Sequence, residues 1–164
     1  MEKIASFQID HLRLKPGIYV SRKDTFGGAV ITTFDLRFKA PNTEPVMDMP
    51  ALHSFEHLGA TFLRAHPKWG KDIVYFGPMG CRTGCYLLMN GDLDSAGILP
   101  LIREMCDWII AYDGEEPGVA PGECGNWREH NQDMCKYEAA LYAKVLANAG
   151  PENLTYPASE AKQD

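Results

Sequence analysis

The sequence predicts an α+β fold, with an antiparallel sheet packed against helices in a single domain. Strand-like segments alternate apolar and polar residues, helix-like segments carry apolar residues at helical spacing, and the two kinds do not follow the regular β-α-β order of a parallel sheet. The chain has 164 residues, which suffices for one core and is short for two. We expect the domain to cover residues 1–150 and a polar C-terminal tail to cover residues 151–164.

Strand-like segments are rich in β-branched and aromatic residues and are bounded by turn residues. They cover residues 16–22, 28–39, 72–77 and 83–90. The second segment alternates most clearly, with Phe34, Leu36 and Phe38 on one face. Arg37 is therefore predicted to project from the opposite face, away from the core.

Helical spacing of apolar residues predicts helices in the remainder of the chain. The first begins near Pro50, which suits a first helical turn, and ends near Ala65. The second covers about 95–112, although Pro100 conflicts with its early turns because proline removes a backbone hydrogen bond. The third covers about 129–148 and follows a loop rich in glycine and proline.

Charge and composition exclude several classes of function. The formal net charge is −6 and the basic residues are scattered, whereas nucleic acids and anionic membranes require a basic surface. No apolar run approaches the roughly 20 residues that span a bilayer, and the N-terminus lacks the apolar segment of a signal peptide. We therefore expect a cytoplasmic protein. Its five cysteines fit no disulfide framework, so each should be a buried thiol, a metal ligand or a reactive thiol.

The strongest local motif is an H-x-x-E-H pattern, His53 to His57, in the first predicted helix. Residues four apart lie one turn apart on the same helix face, so both imidazoles can bind one metal ion. Glu56 can lie beside that metal without binding it, which suits a general acid or base. The alternative is a solvated helix face, but the glutamate inside the pair makes a metal site the better interpretation.

A catalytic metal needs a third protein ligand and an open position. Cys124 is the best candidate, because it lies in a loop between small and polar residues. Cys106 and Cys135 occupy apolar positions of predicted helices and are expected to be buried. His66 and His130 lie at predicted helix boundaries, where a structural or exposed role is expected.

A second motif is the glycine-flanked segment that contains Cys81. Glycines allow unusual backbone angles and close approach to a ligand, and the adjacent Arg82 could lower the pKa of the thiol if its charge points inward. The alternative is a buried cysteine at a strand edge. Cys85, inside the following strand, is expected to be packing.

Together these and further segments match a known pattern in order and spacing over about residues 4–148. The segments are Ser6–His11, Phe34–Phe38, His53–His57, Pro78–Gly84 and Glu123–Gly125. They resemble the S-ribosylhomocysteine lyases, the LuxS or autoinducer-2 synthase family. Any one segment alone would be weak evidence for this resemblance, but all of them together, in the same order and spacing, are specific for it.

The resemblance implies an enzyme that cleaves S-ribosyl-L-homocysteine into L-homocysteine and 4,5-dihydroxypentane-2,3-dione, the autoinducer-2 precursor used in quorum sensing. It implies one Fe(II) per subunit, which zinc or cobalt can replace, bound by His53, His57 and Cys124. It assigns Cys81 as the catalytic thiolate and Glu56 as the second acid/base.

The resemblance also implies that Ser6, His11 and Arg37 line the substrate pocket, and that the protein is a homodimer with active sites at the subunit interface. Two positions depart from the family pattern. Tyr75 stands where many relatives have an acidic residue, so the amino-acid end of the substrate could be held differently. Cys85 stands where relatives often have an aromatic residue, which places a second thiol near the site.

Two other functions remain open from the residues alone. An H-x-x-E-H metallopeptidase shares the histidine pattern, but such enzymes are usually far larger. A non-catalytic domain with a structural metal would normally need four protein ligands, and the sequence indicates three.

Overall fold

The structure is a computed structural model that describes residues 8–158; Ser6 lies outside the described residues. Its sheet has the strand order β1-β2-β4-β3 and is antiparallel throughout. The strands are β1 (Gly17–Phe26), β2 (Ala29–Arg37), β3 (Ile73–Pro78) and β4 (Gly84–Asn90). The helices are α1 (Met49–Ala65), α2 (Ser95–Ala111) and α3 (Gln132–Ala147). The predicted single α+β domain with an antiparallel sheet is therefore confirmed.

The first two strands form a long hairpin around a two-residue glycine turn. Gly27 and Gly28 both have positive φ, 55° and 89°, as the tight turns that match strand twist require. Because this turn carries the pairing up to Phe26↔Ala29, β1 extends beyond the predicted end at residue 22. The register shifts between Val20 and Arg22, which is the mark of a β-bulge.

The helices follow their predicted bounds closely except at the start of α3. Pro100 lies inside α2, whose first turn is capped by the Asp94 side chain accepting a hydrogen bond from the Gly97 amide. The helix thus continues through Pro100, although the sequence led us to expect that this proline would conflict with its early turns. The third helix begins later than predicted, because Asn131 is its N-cap and accepts from the Met134 amide. The segment that contains His130 is loop as a result.

The helices cover one face of the sheet, where the apolar residues of β2 and β4 meet the apolar faces of the helices, and α3 packs chiefly against α1 and α2. That core includes Phe34, Leu36, Leu87, Met89, Phe55, Leu58, Ile102, Met105, Ala139 and Tyr142. Arg37 lies on the opposite face, as predicted, but it is only 2% exposed. Burial of an arginine on the outer face of a sheet requires a partner, and the buried carboxylate of Asp35, two residues earlier on β2, supplies it.

Among residues 8–158, no helix has both the length and the apolar character needed to cross a bilayer.

Candidate metal centre and catalytic cleft

Helix α1 presents His53 and His57 from one face, with ring centroids 4.7 Å apart. Each ring has its Nδ1 tied to a backbone carbonyl. His53 Nδ1 lies 2.9 Å from the Glu129 oxygen, and His57 Nδ1 lies 2.8 Å from the Pro117 oxygen. A carbonyl only accepts, so Nδ1 carries the proton and the Nε2 lone pair of each ring is free to bind a metal.

The loop before α3 brings Cys124 to these histidines. Its Sγ lies 3.4 Å from His53 Nε2 and accepts a hydrogen bond from the Asn126 amide at 3.4 Å. The same loop passes close to His57 at Gly118, which has φ +77° and where a Cβ would lie 2.9 Å from His57 Nδ1. A side chain at this position would displace the imidazole.

The donor set fits a metal ion. The ligand atoms of the three residues all lie within 4.8 Å of one another. In a tetrahedral site with ordinary zinc distances, sulfur and nitrogen ligands are about 3.6 Å apart. The observed 3.4 Å between Cys124 Sγ and His53 Nε2 is close to that separation. The sequence-predicted ligands His53, His57 and Cys124 are therefore brought together with free donor atoms converging.

A fourth residue, His130, joins this cluster, although its position in the sequence led us to expect a structural or exposed role. Its ring stacks on that of His53, with centroids 3.9 Å apart and an angle of 25° between the planes, and its donor atoms belong to the same convergent group. His130 Nδ1 lies 2.6 Å from Glu116 Oε1, and Glu116 is buried. Burial lowers the pKa of His130, and Glu116 opposes that effect. No periodic signal marked His130, because it lies in irregular loop.

Glu56 lies on α1 between the two histidines and is half-buried. Its charge reaches the core thiol of Cys85 and helps raise the pKa of that thiol, after the larger effect of complete burial. Cys85 itself is 0% exposed, which agrees with its interpretation as packing. It therefore does not present a second accessible thiol at the site.

Cys81 lies in a cleft of about 470 Å³, and the residues that line this cleft do not include the three histidines or Cys124 of the metal centre. The cleft is lined by the loop over residues 41–46 together with His11, Arg37, Cys81 and Thr83. His11 is half-buried there, and its Nδ1 lies 2.9 Å from the Ile9 oxygen. Two of the predicted substrate-contacting residues thus share a cleft with the predicted catalytic thiol.

The hydrogen bonds around Cys81 have a defined direction. Arg37 Nη1 lies 2.5 Å from Thr83 Oγ1, and Thr83 Oγ1 lies 3.1 Å from Cys81 Sγ. A guanidinium has no acceptor, so the Thr83 oxygen accepts from Arg37 and its single proton is available to the sulfur. Arg37 Nη1 is also 3.8 Å from Cys81 Sγ. Both groups therefore stabilise a negative sulfur.

The pKa of Cys81 is accordingly below its ordinary value. Partial burial acts to raise it, but the hydrogen bonds from Thr83 and the charge of Arg37 outweigh that effect. The cation that stabilises the thiolate is thus Arg37, from a different strand, and not the neighbouring Arg82 considered from the sequence. Arg82 instead has φ +60° and its carbonyl accepts from the Met47 amide, which holds the turn of the loop.

Tyr75, one of the two positions at which the sequence was interpreted as departing from the pattern it resembles, lies on β3 and is 47% exposed. Its hydroxyl folds over Gly77, where a Cβ would lie 2.0 Å from that oxygen. Gly77 is therefore what allows the tyrosine ring to lie along the strand.

Comparison with known proteins agrees with this geometry. The family model of S-ribosylhomocysteinase (LuxS) matches residues 4–152. The S-ribosylhomocysteine lyase of Porphyromonas gingivalis W83 is 58% identical over 158 residues, covering 96% of this chain and 99% of that protein. Those of Borreliella burgdorferi ZS7 and Clostridium acetobutylicum are 52% and 53% identical, each covering 96% of this chain and 100% and 99% of theirs. Because the family model and these relatives extend over nearly the whole chain, the protein belongs to the S-ribosylhomocysteinase (LuxS) family.

Proposed function

We propose that this protein is a metal-dependent carbon–sulfur lyase that cleaves S-ribosyl-L-homocysteine into L-homocysteine and 4,5-dihydroxypentane-2,3-dione. The observation that carries the proposal is the pairing of two features in a member of this family. One is a convergent His-His-Cys donor group, and the other is a thiol with a lowered pKa in an open cleft. This cleavage needs both a Lewis acid and a base of modest pKa.

We assign His53, His57 and Cys124 as the metal ligands, with one Fe(II) per subunit. Imidazole and thiolate donors accept iron, cobalt and zinc, so zinc or cobalt should substitute. When bound, the divalent metal acts as a Lewis acid for the negative charge that develops on the substrate oxygens. The backbone carbonyls that accept from both Nδ1 atoms support the assignment, because they fix the ring orientation.

The reaction consists of proton transfers followed by an elimination. Two aldose–ketose shifts move the sugar carbonyl from C1 to C2 and then to C3. In each shift a base removes a carbon-bound proton and returns it to the neighbouring carbon. With the carbonyl at C3, the C4 proton is acidic, and its removal expels homocysteine from C5 with the electron pair of the carbon–sulfur bond. The departing thiolate then takes up a proton, and the enol left at C4 and C5 tautomerises to 4,5-dihydroxypentane-2,3-dione.

We assign these transfers to Cys81 and Glu56. Cys81 is suited to the carbon acids, because Thr83 and Arg37 favour its thiolate form. Glu56, next in sequence to His57 and half-buried, is suited to move protons beside the metal. Ser6, His11 and Arg37 are proposed to contact the substrate. Since most Arg37 donors are already used by Asp35 and Thr83, its main contribution should be to Cys81.

We further propose that the active protein is a homodimer with its active sites at the subunit interface. Apolar side chains stand exposed at the cleft or close to its lining residues in sequence: Val46, in the lining, is 38% exposed, Leu12, next to His11, is 76% exposed, and Met49, three residues after Val46, is 45% exposed. Exposed apolar groups beside a polar cleft favour coverage by a partner. The five thiols are free, which is in keeping with the reducing cytoplasm, where we place the reaction.

The test is release of homocysteine. Purified protein, reconstituted anaerobically with Fe(II) or Co(II), is incubated with S-ribosylhomocysteine, and the free thiol is followed with a chromogenic disulfide. Steady release by the wild type and none by Cys81→Ala is the expected result. Absence of release from folded, metal-loaded wild type would refute the proposed reaction, and an H-x-x-E-H peptidase would be indicated if Cys81→Ala retained activity on peptides.

The interface is tested separately. Light scattering gives the mass in solution, for which we expect two chains. Mixing inactive Cys81→Ala with inactive His57→Ala then asks whether one active site uses both chains. Recovered activity would mean that the thiol and the metal come from different subunits, whereas a monomeric active enzyme would refute the proposed dimer.

A further inference from the structure

Beyond the groups around Cys81, a buried ion pair lies behind Arg37 and connects it to the C-terminal segment. Asp35 and Arg37 are 1% and 2% exposed. They are two residues apart on β2, so both point to the same face of the sheet. Arg37 Nε donates to Asp35 Oδ1 at 3.0 Å and Arg37 Nη2 to Asp35 Oδ2 at 2.6 Å. This fork leaves Nη1 directed at Thr83 and Cys81.

Tyr156, beyond the last helix, makes a further hydrogen bond to this pair. Its hydroxyl donates to Asp35 Oδ2 at 2.8 Å. A buried carboxylate is costly unless its acceptor positions are filled. The tyrosine therefore helps hold the Asp35 carboxylate in the plane that receives Arg37, and through it holds the direction of Nη1.

The segment that carries Tyr156 is built onto the sheet. The Tyr156 ring stacks on Tyr19, with centroids 4.7 Å apart and planes at 7°. Tyr19 is itself buried, and its single hydroxyl proton is shared between the Lys15 and Glu152 carbonyls, whose oxygens lie 2.8 and 3.0 Å away. Asn153 approaches Gly17 so closely that a Cβ there would lie 2.1 Å from the Asn153 oxygen. Only glycine at residue 17 permits this docking.

We infer that Tyr156 is a positioning residue for the proposed reaction: it orients Asp35 and Arg37 so that the guanidinium and Thr83 stabilise the Cys81 thiolate. The C-terminal segment is thus part of the catalytic apparatus, although it lies outside both the metal centre and the cleft lining. The inference rests on the proposed function only in taking Cys81 as the base. The effect on the thiol can be measured without turnover.

The experiment compares Tyr156→Phe with two matched phenylalanine variants. Tyr156→Phe keeps the stack on Tyr19 and removes the hydroxyl that donates to Asp35 and also bonds the Ser21 side chain. Tyr19→Phe weakens the docking of the segment and keeps the bond to Asp35. Tyr137→Phe changes an exposed tyrosine of α3, which is 57% exposed. For each, the rate of Cys81 alkylation by iodoacetamide is measured against pH on the metal-loaded protein, together with the thermal midpoint and homocysteine release.

We expect Tyr156→Phe alone to raise the alkylation midpoint, by about half a pH unit, so that alkylation below the midpoint slows about 3-fold. Its kcat should fall by a similar factor with KM unchanged. Tyr19→Phe should lower thermal stability without moving the midpoint. The inference is overturned if Tyr156→Phe leaves the midpoint at the wild-type value, or if all three variants shift it equally. A shifted midpoint in a protein whose wild type releases no homocysteine would support the positioning role and refute the reaction.

Discussion

The hydroxyl of Thr83 is the group whose removal tests the site most directly, and Thr83→Val removes it with little change of shape. Thr83 is buried and its oxygen is 3.1 Å from Cys81 Sγ. A hydrogen bond to a charged group contributes about 1.5–3 kcal/mol, and one pKa unit corresponds to about 1.4 kcal/mol. Because Cys81 is exposed, water replaces part of that bond and the lower end applies. We expect the Cys81 pKa to rise by about one unit.

The direction of the expected change in the Cys81 pKa follows from the charge of the form of the thiol that reacts. Alkylation requires the thiolate, and Thr83 and Arg37 favour the thiolate over the thiol. Loss of the threonine donor therefore moves the titration to higher pH, and at any pH below both midpoints the rate should fall about tenfold. Arg37 Nη1 loses its Thr83 acceptor at 2.5 Å but remains 3.8 Å from Cys81 Sγ, where it continues to favour the thiolate.

The assay can follow Cys81 alone. Trypsin cleavage after Lys71 and Arg82 releases residues 72–82, in which Cys81 is the only cysteine. Iodoacetamide labelling of that peptide, quantified by mass spectrometry from mildly acidic to alkaline pH, gives the midpoint. Thr83→Ser is the matched control, because it keeps the hydroxyl. If Thr83→Val titrates at the same pH as Thr83→Ser and wild type, the threonine does not stabilise the thiolate and the direction deduced for its proton is wrong.

Three further predictions concern the metal centre and the core. Glu56→Gln should retain the metal and lose turnover, whereas Cys124→Ala should lose the metal as well. Elemental analysis of the metal content separates the two variants. A metal-free Glu56→Gln protein would contradict the assignment of Glu56 as a non-ligand. His130→Ala should weaken metal affinity about 10- to 100-fold, as removal of a residue that supports a ligand does. The absorption spectrum of the cobalt-substituted variant should match that of the wild type. A spectrum that indicates a different coordination number would instead make His130 a fourth ligand and favour a structural metal. The Lys39 side chain is 9% exposed and is paired with the buried Glu138. Lys39→Met should therefore lower the free energy of unfolding by about 3–5 kcal/mol, because it leaves the Glu138 carboxylate buried without its partner. Denaturant titration measures this last effect, and a Lys39→Met/Glu138→Met double variant that is no more stable than the single one would show that the unpaired carboxylate is not the cause.

Local patterns in the sequence determined the elements and two of the three proposed metal ligands. Alternation and helical spacing predicted the strands and helices because side-chain direction repeats with a fixed period within one element. For the same reason His53 and His57, four residues apart on one helix, are predictable ligands from spacing alone. The sequence could also single out Cys81 and Cys124 as unusual cysteines, since each is set among glycines and polar residues in a loop.

Tertiary structure alone decided which distant residues act together. Cys124 meets His53 across 71 positions of sequence, and Tyr156 meets Asp35 across 121. No period connects such pairs, because their approach depends on how loops and strands pack. The cation beside Cys81 is therefore Arg37 from β2 and not its neighbour Arg82, and His130 enters the metal centre from a loop without a pattern. Spacing in the sequence determines which side chains share a face of one helix or strand, whereas tertiary packing determines which distant residues those side chains contact.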